Sequence, residues 1–570
     1  MLIENIKQFK NKILYLITKK DKKDISNLFI LGFIVGLFEL IGLALIVLMI
    51  QVFVDTSIIE SNKILNYIYI HISNSNIMIF IGLVASSIFS FYIIKLLVSI
   101  INAKKMAELT SNLYLDISKK LFSNYLNYYY RDFGKKNTAE INQMLVIEAD
   151  NMSLMVANII YLIVHIMIII LLYSYMVYID YTLTFIVTCV LVVLGYMYKI
   201  FLNKKLISMG AERVYAVKNY MMLIKSTFSN YKFIKGMSGN YINDNLSEST
   251  VRFKKTRIDM LHWSEVPRLI LEFVVIAIMI GILVFIKLKY NETEQVLLIV
   301  SAYALALFRM LPSLSRVLNS VNIISMYKKT LDIVHTEFQY KIENQTSTET
   351  ILFDKNITIN NIGFQYDENN KKILNNINYK IIKGDKIAIS GESGSGKSTF
   401  MDILIGLHLP TTGHVLIDNE ELNSKNIVSW RQSTSFVPQK VVLFESTIRE
   451  NITFGKKYDK KLFNEVLKDV FLYDMVMEKG GIDIKVGDEI SGFSGGQMQR
   501  IAFARALYQE REVLFLDEAT SSLDEEVEIK IIDRLLSKYQ YKTIIAIVHK
   551  KSIASKFDKV IDISHGSIVK

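Results

Sequence analysis

Apolar residues arrive in two rhythms along this chain, and the change falls near its middle. The first half carries them in long unbroken blocks. Six blocks, near 28–54, 77–101, 154–178, 183–202, 266–286 and 296–314, approach or exceed the roughly 20 apolar residues that a helix needs to cross a bilayer. The third and fourth are separated only by Ile179 and Asp180, which predicts a tight turn. The second half has short apolar runs, such as Lys386-Ile-Ala-Ile-Ser390 and Val513-Leu-Phe-Leu-Asp517, alternating with helical patterns. That is the rhythm of an α/β domain with buried strands. The predicted fold is therefore an all-α transmembrane domain of six helices followed by an α/β domain.

The intervening segments set the boundaries. Residues 1–26 place Ile3, Ile6, Phe9, Ile13 and Leu16 among lysines, which suits an interfacial helix on an anionic leaflet or, equally, a solvated basic tail. The transmembrane domain is expected over 27–315, a polar connector over 316–350 and the α/β domain over 351–570. Basic residues cluster before the first span, after the second and fourth, and after the sixth, whereas the connections 55–76, 179–182 and 287–295 carry few. Both termini are thus expected in the cytoplasm. The connections 102–153 and 203–265 are long and helical in pattern, and predict helices that extend beyond the membrane. The segment 58–72 carries a stripe of Ile64, Leu65, Ile68 and Ile72, which predicts a short amphipathic helix outside.

Charge and composition narrow the reading. The chain has 570 residues and a formal charge of +11. The lysines that flank the spans account for the excess without nucleic acid as a partner. One cysteine, Cys189, allows no disulfide within the chain, and four prolines suit long helices. No cleavable signal peptide is expected, because the first apolar run is of spanning length.

The strongest chemistry lies in Gly391-Glu-Ser393-Gly394-Ser395-Gly396-Lys397-Ser398-Thr399, a G-x-x-x-x-G-K-[ST] phosphate loop placed between a strand pattern and a helical one. Its glycines let backbone N–H groups wrap a phosphate at a helix N-terminus. Lys397 would reach the β- and γ-phosphates, and Ser398 would hold Mg²⁺. Downstream, the run 513–517 ends in Asp517 and Glu518. Asp517 suits a water-mediated Mg²⁺ contact, and Glu518 suits a general base for the attacking water.

The run Phe493-Ser494-Gly495-Gly496-Gln497 closely resembles the signature motif of ABC transporters, with Phe in place of the usual Leu. Other elements resemble that family in the expected order: Tyr366 the adenine-stacking A-loop aromatic, Gln439 the Q-loop glutamine that touches Mg²⁺, Ser521-Ser-Leu-Asp524 the D-loop, His549 the switch histidine (followed here by Lys550), and Val486-Gly-Asp488-Glu the exporter X-loop. The resemblance implies an ATP- and Mg²⁺-dependent hydrolase coupled to transport. It implies a half-transporter of MsbA-like architecture, in which Ser494 to Gln497 contact ATP on a partner copy. All catalytic positions are intact, which favours a homodimer. Short coupling helices are expected near 130–134 and 219–225.

Three cations interrupt the spans: Lys95, Arg268 and Arg309. Charges in a bilayer are costly, and topology places all three toward the cytoplasmic leaflet. They could line a cavity for an anion. Equally, Arg268 could pair with Glu272, and Lys95 could snorkel. The segments 266–272, 306–313, 91–95 and 230–235 resemble PglK-type lipid-linked oligosaccharide flippases, although that family has Arg where Lys95 stands. The resemblance implies that Lys95, Arg268 and Arg309 handle a polyprenyl diphosphate. It also implies an external helix near 58–72 that engages the lipid tail, a bacterial inner (plasma) membrane location, and movement of a glycolipid to the outer leaflet. An exporter of lipid A, another lipid, a drug or a peptide is the alternative. Six spans exclude a soluble ABC ATPase acting on DNA, and Glu518 with His549 argues against a non-pumping channel or regulatory subunit.

Overall fold

The computed structural model describes residues 2–54, 56–57, 59, 62–73, 76–236, 240–289, 293–344, 349–366, 371–487 and 492–569. Asp488 of the expected X-loop lies outside them. The chain divides into two compact units, Met1–Leu126 with Lys136–Tyr340, and Asn127–Lys135 with Lys341–Lys570.

The first unit is helical throughout. It contains α1 (Leu2–Leu16), α2 (Lys19–Val54), α3 (Lys63–His71) and α4 (Ile77–Leu126). After these come α5 (Thr138–Asn142), a π-helical turn Gln143–Glu148, α6 (Ala149–Ile179), α7 (Tyr181–Ser229) and α8 (Tyr231–Gly236). The unit ends with α9 (Asn240–Lys289), α10 (Thr293–Met326) and α11 (Lys328–Gln339). Helices α4 and α9 each have 50 residues. At 1.5 Å per residue each is about 75 Å long, against about 30 Å of hydrocarbon. They therefore continue well past a bilayer, as the polar halves of their sequences predict.

Among the described residues, four segments are long and apolar enough to span: Lys19–Val54, Ile77–Leu126, Thr138–Ile179 and Leu246–Ile286. These correspond to the expected first, second, third and fifth spans. The expected fourth span lies in α7, of which Tyr181–Val193 is the described apolar stretch. The expected sixth span lies in the helix α10.

Small residues let the helices approach. Gly32 and Gly36 form a G-x-x-x-G pair on α2, and a Cβ on Gly32 would come within 2.6 Å of the Val164 side chain of α6. The α6–α7 turn forms where the sequence predicts it. Asp180 accepts from the backbone N–H of Thr182 and of Leu183, and the buried Tyr303 hydroxyl donates to the Asp180 carbonyl at 2.7 Å. Below the apolar spans lies a buried polar knot. Glu148 is fully buried; Arg213 Nη2 reaches it at 2.8 Å, the Thr330 hydroxyl at 2.7 Å and Gln143 Nε2 at 3.0 Å.

The amphipathic helix expected within 58–72 has formed as α3, capped by Asn62 and burying Leu65 in a cluster with Val52 and Phe80. Ile64 and Ile72 stay exposed. The expected coupling segment 219–225 is interior to α7. The chain breaks instead at Asn230, and the short helix α8 follows.

The second unit is built on a six-stranded sheet in the order β12-β11-β3-β10-β9-β6. The strands are β3 (Lys386–Ser390), β6 (Thr434–Val437), β9 (Val513–Asp517), β10 (Thr543–Ile547), β11 (Lys559–Ser564) and β12 (Ser567–Val569), all parallel except β12. A four-stranded antiparallel sheet comprises β1 (Asn356–Phe364), β2 (Leu374–Ile382), β4 (Thr412–Ile417) and β5 (Glu420–Glu421). A third small sheet pairs β7 (Ser446–Thr447) with β8 (Lys485–Val486). Side chains alternate across the central sheet. Ile387, Ile389, Phe515 and Ile547 join one core with Phe400 and Trp430, whereas Ala388, Leu514, Leu516 and Ala546 join a second with Phe493 and Phe503. Burial on both faces explains why these strands read as unbroken apolar runs.

Candidate functional site

Three neighbouring parallel strands deliver the chemistry from their carboxyl ends, where ligands bind in open α/β sheets. The phosphate loop follows β3, Glu518 follows β9, and His549 lies just past β10 between them. Gly396, with φ of 103°, caps the helix α12 (Lys397–Ile405). Gly391 has φ of 142°, and a Cβ there would strike the Ile563 carbonyl. Only glycine fits such a position. Gly394 is also left-handed, at φ of 79°. The Lys397 ammonium donates to the carbonyls of Gly391 at 2.9 Å and Glu392 at 2.7 Å, so it is folded back over the loop.

Two buried polar atoms next to this cradle have no hydrogen-bond partner, Ser395 Oγ and Asp517 Oδ1. Unpaired buried groups are costly, and their position points to a ligand. Burial pushes the Asp517 carboxyl above its usual range, the Glu518 charge adds to this, and Ser398, Lys397 and His549 pull it partly back. The loop amides, Lys397, Ser398 and Asp517 therefore fit a metal-bound triphosphate. Ser398, Gln439 and, through water, Asp517 would hold the Mg²⁺.

Glu518 is gripped on both oxygens. Gln439 Nε2 donates to Oε2 at 2.6 Å, and His549 Nε2 lies 2.6 Å from Oε1. Its backbone sits at φ of 46°, a left-handed conformation that a non-glycine side chain tolerates only under constraint. Tyr366 is half-buried. Its hydroxyl is 3.4 Å from Thr399 Oγ1, and its ring meets Phe364 and His408 edge-on. His408 in turn lies 5.4 Å from the ring of Tyr130, in the short helix Tyr130–Phe133. That helix belongs to the same compact unit as the site, as the first expected coupling segment requires.

Ser494 caps the helix α13 (Gly495–Tyr508). It accepts from Gln497 N at 3.3 Å, and Gln497 Oε1 accepts from Ser494 N at 3.1 Å. A Cβ on Gly496 would come within 2.9 Å of the Ser522 carbonyl, which ties the signature to the D-loop. Gln499 strengthens this by accepting from Ser522 N at 3.1 Å. Sequence reading assigned Gln499, His408 and Asp402 no role. Asp402 lies on α12, where burial and then the Asp517 charge push its carboxyl up to about 7.

The three membrane cations do not form the single open cluster expected of them. Lys95 Nζ is 2.7 Å from Glu39 Oε1, and Arg309 Nη1 is 3.8 Å from Oε2 of the same carboxylate. Arg309 also donates to the Tyr92 hydroxyl at 3.1 Å. Arg268 instead lies exposed beside Glu265 at 3.6 Å and Glu272 at 3.7 Å, and no described contact brings it to the others. The acid that organises Lys95 stands 56 positions before it. A lone Glu39 between Phe38 and Leu40 in an apolar run is itself the signal that points to it.

Comparison with known proteins agrees with this geometry. Residues 374–521 match the family model for the ABC transporter. An ATP-binding/permease protein of Rickettsia bellii, named for export, is 30% identical over 362 residues, which span 60% of this chain and 61% of its own length. The ATP-dependent lipid A-core flippase of Bordetella avium is 26% identical over 81% of this chain and 80% of its own. The homologous flippase of Ralstonia nicotianae is 26% identical over 69% of this chain and 67% of its own. The structure of a bacterial Atm1-family ABC exporter with ATP bound superposes with a TM-score of 0.78 over 97% of this chain and 95% of that one, at 18% identity. Fold and site define the class in outline: the chain takes the fold of an ABC exporter, a helical domain joined to an ATPase domain, and the ATPase domain carries the match to the ABC transporter family.

Proposed function

We propose that this chain is half of an ATP-driven flippase for an anionic lipid, acting as a homodimer in a bacterial plasma membrane. Its finer cargo is a polyprenyl-diphosphate-linked oligosaccharide, moved from the inner to the outer leaflet. The observation that carries the anionic cargo is the Lys95–Tyr92–Arg309 group, where two cations share one carboxylate among apolar helices. A phosphate headgroup loses its hydration on crossing, and basic side chains replace part of it. The names of the relatives support a lipid. The resemblance of 91–95 and 306–313 to lipid-linked oligosaccharide flippases supports the diphosphate. Arg268, exposed and flanked by two acids, has a lesser part.

The mechanism follows from the site. The phosphate-loop amides and Lys397 bind the triphosphate, and Tyr366 stacks on the base. Magnesium, when bound, supplies charge neutralisation between the phosphates. Glu518 accepts the proton of the attacking water, while His549 and Gln439 fix its carboxylate in place. Ser494 to Gln497, exposed or half-buried at a helix start, supply donors to the partner copy's nucleotide. Closure of the two ATPase domains turns the membrane domains outward through the coupling helices.

Lipid A is the second reading, favoured by the relatives named lipid A-core flippases. Proteoliposomes with either lipid in the inner leaflet separate the two. ATP-dependent appearance of the diphosphate glycolipid outside is expected, with Arg309→Ala slowing it more than Arg268→Ala. Movement of lipid A alone would overturn the finer cargo, and movement of neither would overturn the flippase.

A further inference from the structure

Glu39 is held unequally. Oε1 meets Lys95 at 2.7 Å, but Oε2 is sealed from solvent and accepts no hydrogen bond, with only the Arg309 charge 3.8 Å away. Lys95 and Arg309 both ride over the Tyr92 ring, at 5.2 and 5.5 Å from its centre. Gly42, one turn beyond Glu39, leaves room for the Tyr92 hydroxyl: a Cβ there would come within 2.9 Å of it. The group is therefore built, positively charged by one unit, and half-satisfied at its only acid. Glu39 is only half-buried, with 23% of its side chain exposed, so another anion can compete with it for its cations while water takes up its charge.

We infer that Glu39 is the resident counter-anion of the substrate site, which a phosphate-bearing lipid headgroup displaces from Lys95 and Arg309. The inference rests on the anionic-lipid reading above and adds the residue that sets affinity and release. A phosphate carries more acceptor oxygens than one carboxylate and can bridge both cations at once. A neutral headgroup cannot repay the broken Lys95–Glu39 pair, so the pair rejects it. When the cargo leaves, Glu39 closes back on Lys95. Without that return, two uncompensated cations would hold an anion too tightly to let it go.

The test uses the full-length protein in phosphatidylcholine vesicles. The vesicles contain nothing more, a polyprenyl-diphosphate disaccharide, lipid A, or free inorganic pyrophosphate in the buffer. The readouts are the lipid fraction that gives half-maximal stimulation of ATP hydrolysis and the flipping rate at saturation. For the phosphate lipid that the wild type flips, Glu39→Gln is expected to lower the half-stimulating fraction about tenfold, as one relieved charge contact allows, and to slow flipping at saturation. The double variant Glu39→Gln with Lys95→Met, which restores the net charge, is expected to return the half-stimulating fraction to the wild-type value or above it.

An unchanged half-stimulating fraction in Glu39→Gln, in a protein whose wild type flips, would overturn the counter-anion role and leave the flippase standing. Equal stimulation by free pyrophosphate would overturn the lipid as the source of the anion. A wild type that flips neither phosphate lipid would overturn the underlying reading, and this is visible without any variant. Should Glu39→Gln not fold, Glu39→Asp keeps the charge on a shorter arm. It is expected to lower the half-stimulating fraction about threefold, and no change there would equally overturn the inference.

Discussion

His549 Nε2 lies 2.6 Å from Glu518 Oε1, while the other oxygen of that carboxylate is taken by Gln439. Three segments that are far apart in sequence thus converge on one group. Glu518→Gln keeps the size and most of the hydrogen bonding but removes the base. Its ATP turnover is expected to fall about 100-fold or more, with nucleotide binding retained. Phosphate release and trapped nucleotide, measured together, check this.

Tyr366 offers its ring beside the phosphate loop, with its hydroxyl near Thr399. Base stacking on an aromatic ring contributes about 1–3 kcal/mol. Tyr366→Ala should therefore weaken ATP binding by about 10- to 100-fold, and Tyr366→Phe much less. Titration with a fluorescent ATP analogue reads both.

Asp402 carries a pH signature. Its carboxyl is raised to about 7 by burial and by the Asp517 charge. The folded protein therefore holds this proton more tightly than the unfolded chain does. Stability is lost as pH rises from the ordinary aspartate range to about 7, and above that the whole cost is present. Asp402→Asn should raise the thermal unfolding midpoint at pH 8, and the gain should shrink steadily toward pH 4. Unfolding scans of the full chain across that range decide it. A gain independent of pH would contradict the assignment.

The Glu148–Arg213 pair is buried with Thr330 and Gln143 around it. Arg213→Met leaves an uncompensated carboxylate and should destabilise the helical unit by about 3–5 kcal/mol. Arg213→Met with Glu148→Leu should recover most of that loss, because replacing both partners removes the stranded charge. Detergent-solubilised unfolding midpoints compare the two.

Tyr130 joins the aromatic chain through His408 to Tyr366. Tyr130→Ala is expected to cut the lipid-stimulated part of ATP hydrolysis several-fold more than it weakens ATP binding. Equal losses in the two measurements would mean that the contact only supports the adenine site.

The ATPase domain was the more legible half. Its site residues sit in local patterns, and each pattern names the backbone shape that it needs: glycines at left-handed positions 391, 394 and 396, a capping box at 494–497, and an acid pair after a buried strand. The helical half was legible in outline, with the 179–180 turn and the short helix of 58–72 where periodicity puts them. Its polar contacts were not. Lys95 reads as a free cation until Glu39 is seen opposite, and Arg213 meets Glu148 across 65 positions. Pairing at such a distance leaves no periodic trace. No separate helix forms at 219–225 because α7 continues its helical pattern through it, and the break at Asn230 is marked by little more than its own polar side chain. Of the six expected spans, four are long and apolar enough to cross a bilayer among the described residues, and the other two lie in α7 and α10.

The phosphate loop, His549 and Glu518 ride on β3, β10 and β9, three strands in consecutive ladder positions. Their lateral separation is inherited from the sheet repeat of about 4.8 Å rather than from any side-chain fit. The motor's dimensions are therefore insulated from whatever the membrane helices become. Under the proposed function, cargo preference can drift by substitution at places such as position 39 or 95 while the combustion chamber keeps its gauge.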